Sequence, residues 1–251
     1  MGTYSKIEWT EKTWNPTVGC TKISPGCKHC YAEVMAHRLQ AIGVPGYEDG
    51  FQFKTMPTRL LEPLERKKPT VYFVNSMSDL FHEKAPFDYI RQVFDVMARC
   101  PQHTFQVLTK RPDIMARFCE TYSPSLNVWL GTSVEDRKYG VPRINVLRDI
   151  PARIKFLSIE PLLENLGILD LHGIDWVIVG GESGHGARPM RKEWVDAIKR
   201  QCESQRVHFF FKQWGAYGPD GEKRSKKDNG RLLDGRSWDA MPDGVCTAVP
   251  A

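Results

Sequence analysis

The sequence predicts an α/β protein built as a partial or near-complete parallel (β/α) barrel, and three observations lead to that fold class. Six short runs of β-branched and aromatic residues recur along the chain, each continuously apolar, as in strands buried on both faces of a parallel sheet. Successive runs start 22 to 34 residues apart, which leaves room for a crossover helix. One such segment, residues 87–99, places its apolar side chains on a single helical face.

Each predicted strand is followed by polar residues. The strands are predicted at residues 71–74, 105–108, 128–130, 154–157, 176–179 and 207–211, and helices over 87–99 and 191–204. Because the active sites of such barrels are built from the loops at the C-terminal ends of the strands, these polar segments are candidate site residues. Any one of these segments could instead be a solvated loop or a helix cap, but a polar segment follows every one of the six predicted strands.

Length and composition favour one compact domain with a short appendage. The chain has 251 residues, of which 41% are hydrophobic and 26% charged, and its mean hydropathy is −0.42. These values exclude a membrane-spanning chain and a disordered one. We predict a barrel domain over residues 1–215 and an irregular C-terminal extension packed on it over residues 216–251, a segment that is rich in Gly and Pro and shows no periodicity.

The net charge of the chain indicates which partners are compatible with it, and the N-terminal residues indicate where the protein is expected. Lys and Arg number 35 against 30 Asp and Glu, a net charge of +5 that is compatible with an anionic substrate or nucleic acid. The N-terminal residues lack the apolar stretch of a signal peptide, so the protein is expected in the reducing cytoplasm and without a membrane partner.

Three of the seven cysteines, Cys20, Cys27 and Cys30, lie within eleven residues. Such clustering in a cytoplasmic protein indicates a metal site rather than disulfides. Three thiolates suit an iron–sulfur cluster with one iron left open, whereas structural zinc needs a fourth ligand, for which His29 and His37 are candidates. The scattered cysteines are interpreted as core residues: Cys100, Cys119, Cys202 and Cys246.

The cysteines and the segments after the strands together resemble a known family. The motifs are WNPTVGC at 14–20, the cysteines at 27 and 30, LTKRP at 108–112, WLGTSVE at 129–135, LSIEPL at 157–162, GGESG at 180–184, FFKQWG at 210–215, GRLLDG at 230–235 and WDAMP at 238–242. In this set the chain resembles the phage-associated three-cysteine-motif family, whose substrate is not settled. That family is similar in turn to the radical S-adenosylmethionine (SAM) superfamily, and the resemblance spans almost the whole chain.

The resemblance implies a barrel of the radical SAM type and a radical SAM enzyme. Cys20, Cys27 and Cys30 would hold three irons of a 4Fe-4S cluster, and the fourth iron would bind SAM. One electron would then cleave SAM and release a 5′-deoxyadenosyl radical that abstracts hydrogen from a substrate. An electron donor is implied, and the favoured substrate is a nucleotide or a nucleic-acid component, with or without a partner protein. The chain departs from the superfamily in having six residues rather than three between the first two cysteines, and His29 in place of an aromatic residue.

The resemblance also implies cofactor-binding residues at the strand ends, where the superfamily binds the amino group and the ribose of SAM. The candidates are Asn75, Ser76, Asp79, Ser133, Glu135, Gly180, Gly181 and Glu182. The alternative interpretation is that the polar residues cap helices and that the two glycines only permit a tight turn. The candidate catalytic residues are Lys110, Arg111, Lys212 and Glu160. The three cations, with Arg188 as a fourth, would form an anion-binding pocket for the SAM carboxylate or a substrate phosphate, and Glu160 would lie opposite one of them.

Two other functions compete with this one. A zinc-stabilised protein that binds nucleic acid without catalysis explains the cysteines but not the polar strand ends. A metal-free barrel hydrolase would use Glu160 and Glu182 as an acid–base pair, and its activity would survive loss of the three cysteines.

Overall fold

A curled sheet of seven parallel strands forms a half-barrel at the centre of the molecule, which a computed structural model describes over residues 3–5 and 7–243. The strands are β1 (Thr3–Tyr4), β2 (Lys12–Trp14), β3 (Thr17–Val18), β4 (Lys54–Thr55), β5 (Val71–Val74), β6 (Thr104–Thr109), β7 (Val128–Ser133), β8 (Ile154–Ile159), β9 (Trp176–Gly180) and β10 (His208–Gln213). The sheet order is β1-β2-β5-β6-β7-β8-β9-β10, in which only β1 is antiparallel to its neighbour, and β3 pairs with β4 in a separate ribbon.

Helices follow most of the parallel strands and cover the outer face of the sheet. They are α1 (Tyr31–Ala41), α2 (Phe87–Ala98), α3 (Pro112–Cys119), α4 (Pro142–Asp149), α5 (Lys192–Gln205) and the short α6 (Lys226–Asn229). The main core lies between these helices and the sheet, where α2 buries Ile90, Val93 and Phe94. Within residues 3–5 and 7–243, no helix combines the length and the apolar character that crossing a bilayer requires.

The concave face of the sheet carries a separate aromatic cluster. We call it the aromatic layer, and its members are Trp9, Phe73, Trp129, Phe156, Trp176 and Phe210. Trp176 lies at its centre, with ring centroids 5.7 to 6.2 Å from four of the others. Because side chains two residues apart in a strand share a face, the next inward positions are Gly131 above Trp129 and Ser158 above Phe156. Gly131 makes room for the Phe156 ring, which a Cβ there would meet at 2.5 Å, whereas Ser158 lines the cavity that opens toward the C-terminal ends of the strands.

All six strands predicted from apolar runs are present, but most of them are longer than predicted. Pairing continues into the polar residues, as Thr109 pairs with Thr132 and Ser133 with Ser158. The last residues of these strands, predicted as loop residues, are therefore held by the sheet. The sequence did not predict β1, β3 or β4, which have two residues each, or helices α3 and α4, which have eight. Elements this short carry too few residues to show a period.

The part of the C-terminal segment that the structure describes, residues 216–243, packs along β10. The Phe211 amide donates to the Trp238 carbonyl at 2.9 Å, and the Trp238 ring lies between Lys199 and Arg236, at 4.1 and 3.7 Å from its centroid. The boundary between residues 215 and 216 stays a prediction. Residues 244–251, with Cys246, lie outside the described residues.

Candidate functional site

A cavity of about 430 Å³ opens above the aromatic layer, at the C-terminal ends of the parallel strands. This is the edge at which such sheets place their active sites. The cavity is lined by the three clustered cysteines and by most of the other predicted site residues, namely Asn75, Ser76, Asp79, Lys110, Arg111, Ser133, Glu160, Gly181, Glu182 and Lys212. Glu135 and Gly180 are not among its lining residues.

Residues 20–30, which we call the cysteine loop, bring Cys20, Cys27 and Cys30 to one side of this cavity. All three are free thiols of intermediate exposure, and Cys30 directly precedes α1. Burial raises the pKa of the Cys20 thiol to about 11, with the Asp79 charge adding to the effect, and burial also raises the pKa of Cys30. A metal that binds here must therefore displace protons from these thiols.

An ion pair at the end of β6 holds the start of the cysteine loop. The Arg111 guanidinium is 3.2 Å from the Asp79 carboxylate, and both side chains are more than nine-tenths buried. The same guanidinium donates to the carbonyl and the hydroxyl of Thr21 at 3.1 and 2.8 Å, and to the Cys20 sulfur at 3.5 Å. Arg111 thus fixes the loop beside its first cysteine.

Glu135, at the end of β7, holds the middle of the loop. Its fully buried carboxylate lies 2.7 Å from Arg143 of α4 and 3.5 Å from Lys110, and it accepts a hydrogen bond from the Ser24 hydroxyl. Gly26 packs directly over it, because a Cβ at that position would lie 2.7 Å from a Glu135 oxygen. Burial by itself would raise the pKa of this carboxyl, but the Lys110 and Arg143 charges hold the pKa below its ordinary value of 4.5.

A third ion pair, at the end of β9, reaches the loop from the opposite side. Arg188 donates to both oxygens of the Glu182 carboxylate, at 2.6 and 2.8 Å, and to the Pro25 carbonyl at 3.0 Å. Burial of Glu182 is again outweighed, here by the Arg188 hydrogen bonds, so that the pKa of Glu182 is also lowered. Three carboxylates on separate strand ends therefore brace one loop.

Several predicted site residues thus take part in holding the cysteine loop, a role that the sequence did not indicate. The side chains of Asp79, Arg111, Glu135 and Glu182 are engaged with the protein itself, and their contact with SAM stays a prediction. The sequence missed Ser24 and Arg143 altogether. Arg143 lies on α4, which was not predicted, and a lone serine in a loop gives no signal.

A further ion pair stands away from the loop, on the β8–β10 side of the cavity. Lys212 lies 2.9 and 2.8 Å from the two oxygens of Glu160, and the Gln213 amide donates to one of them at 3.1 Å. The sequence allowed Glu160 to lie opposite one of four cations, and in the structure that cation is Lys212.

The remaining predicted polar residues lie at the C-terminal ends of β5 and β7. The Asn75 amide donates to the Thr17 hydroxyl at 2.7 Å, and the Asn75 backbone has a left-handed φ of 63°. Tyr31 also lines the cavity, and its hydroxyl donates to the Ser76 carbonyl at 2.5 Å. Ser76 and Ser133 line the cavity without contacting the cysteine loop in any hydrogen bond between the described side chains.

The donor set was compared with the two metal groups that the sequence left open. Among the described residues, no three His, Cys, Asp or Glu side chains are arranged around a single metal position. His29 lines the cavity with the cysteines, whereas His37 contacts Gln40 on α1 and does not line it. In an iron–sulfur cluster each thiolate binds a different iron, so the thiols need not converge on one point. Three free, soft thiol ligands on one wall of a cavity therefore fit such a cluster better than a single zinc ion.

Gly181 is needed for packing against Trp214, and its contact with SAM stays a prediction. A Cβ on Gly181 would lie 1.9 Å from the Trp214 carbonyl oxygen, a backbone atom that cannot rotate away. We expect Gly181→Ala to lower the free energy of unfolding by about 3 kcal/mol, measured by chemical denaturation. Gly180→Ala is the matched control, because its Cβ would meet only the Glu160 side chain at 3.2 Å, and it should cost less than half as much. Equal losses at both positions would show that the Trp214 contact is not the cause.

The lowered pKa values of Glu135 and Glu182 predict a stability that depends on acid pH. A carboxyl whose pKa is lower in the folded than in the unfolded state stabilises the protein above the unfolded value, near 4.5, and this stabilisation is lost as the pH falls toward the folded value. We expect the free energy of unfolding to fall steadily below pH 4.5. Denaturation at pH 3 to 7 measures this slope, which should be shallower in Glu135→Gln. An unchanged slope in that variant would contradict the assignment.

Comparisons with known proteins agree with this architecture. A family model described as a protein of unknown function (DUF5131) matches residues 4–242. No curated protein matches the chain. Among solved structures, a cysteine-to-serine and a cysteine-to-alanine mutant of spore photoproduct lyase, a radical SAM enzyme, are similar in fold, with TM-scores of 0.51 and 0.50. Each is 10% identical, and the match covers 84% of this chain and 78% of theirs.

A third structure is spore photoproduct lyase complexed with dinucleoside spore photoproduct. It is 10% identical, and its TM-score is 0.45. The match covers 82% of this chain but only 65% of that one, so the chain spans just under two thirds of its length.

Proposed function

The chain belongs to the DUF5131 family of unknown function, and we propose that it is a radical SAM enzyme whose cysteine loop holds a 4Fe-4S cluster. The observation that carries this proposal is the position of Cys20, Cys27 and Cys30. Three free thiols lie on one loop, at the C-terminal mouth of a seven-stranded parallel half-barrel, and three ion pairs fix that loop. The fold shared with spore photoproduct lyase supports the same class of enzyme.

The chain's own residues would bind and orient the two cofactors. Bound together, the cluster and SAM would supply one-electron cleavage of the sulfonium into methionine and a 5′-deoxyadenosyl radical able to take hydrogen from the substrate. The three thiolates hold the cluster, and Arg111 donates a hydrogen bond to the first of them. Asn75, Ser76 and Ser133 line the same cavity and offer neutral polar groups that would bind SAM. The aromatic layer closes the floor of the cavity and excludes water from below.

We propose a nucleotide or a nucleic-acid component as the substrate. Lys226 of α6 lines the cavity, and Lys223, Arg224 and Lys227 are exposed next to it in the chain. Arg224 pairs with Asp220, and Lys226 lies 3.7 Å from Glu8, so this group is only partly neutralised. Basic side chains at the mouth of a site suit a ligand with phosphates. An electron donor is required, and the phage association, a partner protein and the cytoplasmic location remain predictions.

The test is reconstitution of the purified protein with iron and sulfide under anaerobic conditions. Electron paramagnetic resonance of the reduced protein should show a 4Fe-4S signal that changes when SAM is added. A protein that takes up only zinc and leaves added SAM unbound would overturn the proposal, and would favour the zinc-stabilised nucleic-acid-binding protein.

The hydrolase alternative is disfavoured by the state of its two carboxylates. Both Glu160 and Glu182 line the cavity, but each is paired with a cation. The pKa of Glu182 is lowered, which keeps it ionised at neutral pH and leaves it without the proton that a general acid must donate.

A further inference from the structure

The Glu160–Lys212 pair has no part in holding the cysteine loop. Glu160 follows the last residue of β8, Lys212 lies near the end of β10, and the two side chains are 19% and 14% exposed. Both line the cavity. An ion pair that is largely withdrawn from water is costly to desolvate and adds little net stability, so packing alone does not account for one placed on a cavity wall.

The pair has hydrogen-bonding capacity left over among the described residues. The Lys212 ammonium has three N–H groups, and it donates to the two oxygens of Glu160. The Glu160 carboxylate offers about four lone-pair positions, of which Lys212 takes two and Gln213 one. One donor and one acceptor therefore stand side by side. The pair is neutral overall, so it carries no net charge that would favour an ionic group over a neutral one.

The cavity also has an apolar lining. Trp9 and Phe73 of the aromatic layer line it, together with Leu108, and the Trp9 ring packs against Phe156 of β8, 6.5 Å between centroids. Lys212 and Trp9 thus line the same cavity, which contains both the ion pair and aromatic rings. An aromatic floor with one polar edge suits a planar ring that is neutral and hydrogen-bonds along one side.

We propose that this corner of the cavity binds a heterocycle with a carbonyl next to a ring N–H, the lactam edge that uracil, thymine and guanine share. Lys212 donates to the carbonyl, and Glu160 accepts from the N–H. The ring lies against the aromatic floor. The inference rests on the proposed function in taking this ring as part of the substrate, and it assigns the recognition of that ring to Glu160 and Lys212.

Calorimetric titration of the reconstituted protein with nucleosides, in the presence of SAM, tests the proposal. Uridine should bind, and N3-methyluridine, which lacks the N–H but keeps the ring, should bind at least about tenfold more weakly because Glu160 is left without its donor. Ribose, which has neither a planar aromatic ring nor a lactam edge, should not bind measurably. Equal binding of uridine and N3-methyluridine, or no binding of uridine, would overturn the proposal.

A double variant tests the residues. Glu160→Leu with Lys212→Met replaces the ion pair by apolar side chains of similar size, a change that folded proteins commonly tolerate. Uridine binding should weaken at least about tenfold. The control is Glu48→Leu with Lys54→Met, which removes an exposed pair outside the cavity and should leave uridine binding unchanged. Unchanged binding in the first variant overturns the assignment. Should that variant fail to fold, the comparison of uridine with N3-methyluridine on the unaltered protein decides alone.

Failure of this inference is distinguishable from failure of the proposed function. The effect of SAM on the reduced cluster signal reports only on the cluster and SAM. A signal that responds to SAM in a protein that does not discriminate N3-methyluridine refutes the lactam site alone. Discrimination of the two nucleosides without a response to SAM would refute the radical mechanism instead.

Discussion

The variant in which Cys20, Cys27 and Cys30 are all replaced by Ala should take up no iron–sulfur cluster and should lose the spectroscopic response to SAM completely. The reason is the ligand set, because these are the thiols that line the cavity in the described part of the chain. Iron and sulfide content and the magnetic resonance signal after anaerobic reconstitution measure the effect.

The control for this result is Cys119→Ala. Cys119 is a buried thiol on α3 whose pKa burial raises to about 11, and it does not line the cavity. It should keep the full iron content at some cost in stability. Equal iron in the triple variant and the wild type would mean that the metal binds elsewhere.

Glu135→Gln should be the most damaging single substitution outside the cysteines. The change keeps the shape but removes the charge that pairs with Arg143 and Lys110 in a fully buried position. Breaking a buried pair on one side typically costs about 3–5 kcal/mol, and we expect a loss of that size in the free energy of unfolding. Iron uptake should fall as well, because Ser24 and Gly26 rest on this carboxylate.

An exposed carboxylate serves as the matched control for this variant. Glu48 lies 2.8 Å from Lys54 in an exposed ion pair, so Glu48→Gln should leave the unfolding midpoint and the iron content near the wild-type values. Chemical denaturation of both variants makes the comparison. A Glu135→Gln protein as stable as the control would show that the buried pair does not support the loop.

The sequence predicted the half-barrel because each of its strands shows a recognisable pattern within its own few residues. Strands covered on both faces must be continuously apolar, and Val71–Val74 and Trp176–Gly180 show this without any knowledge of their partners. The cysteines were found for a similar reason, since three thiols within eleven residues form a pattern that the chain itself displays.

The bracing of the loop could not be predicted, because it depends on which distant residues meet. Arg188 reaches the carbonyl of Pro25 across 163 positions of sequence, and Ser24 meets Glu135 across 111. Polar residues at strand ends indicate that a site exists, but the same residue types serve equally to bind a cofactor or to hold a loop. Only the three-dimensional contacts show which of these residues hold the loop.

The three ion pairs around the cysteine loop also set an order of events during biogenesis. A small zinc finger is unfolded until its metal arrives, so that metal binding drives its folding. Here the loop is held by residues on the ends of β6, β7 and β9, and the last of these contacts forms only after Arg188 has been synthesised. The polypeptide would therefore complete most of its tertiary structure first, and insertion of the proposed cluster would be a late maturation step on a preformed scaffold. Loss of the metal should leave a folded apoprotein that is competent to be reloaded.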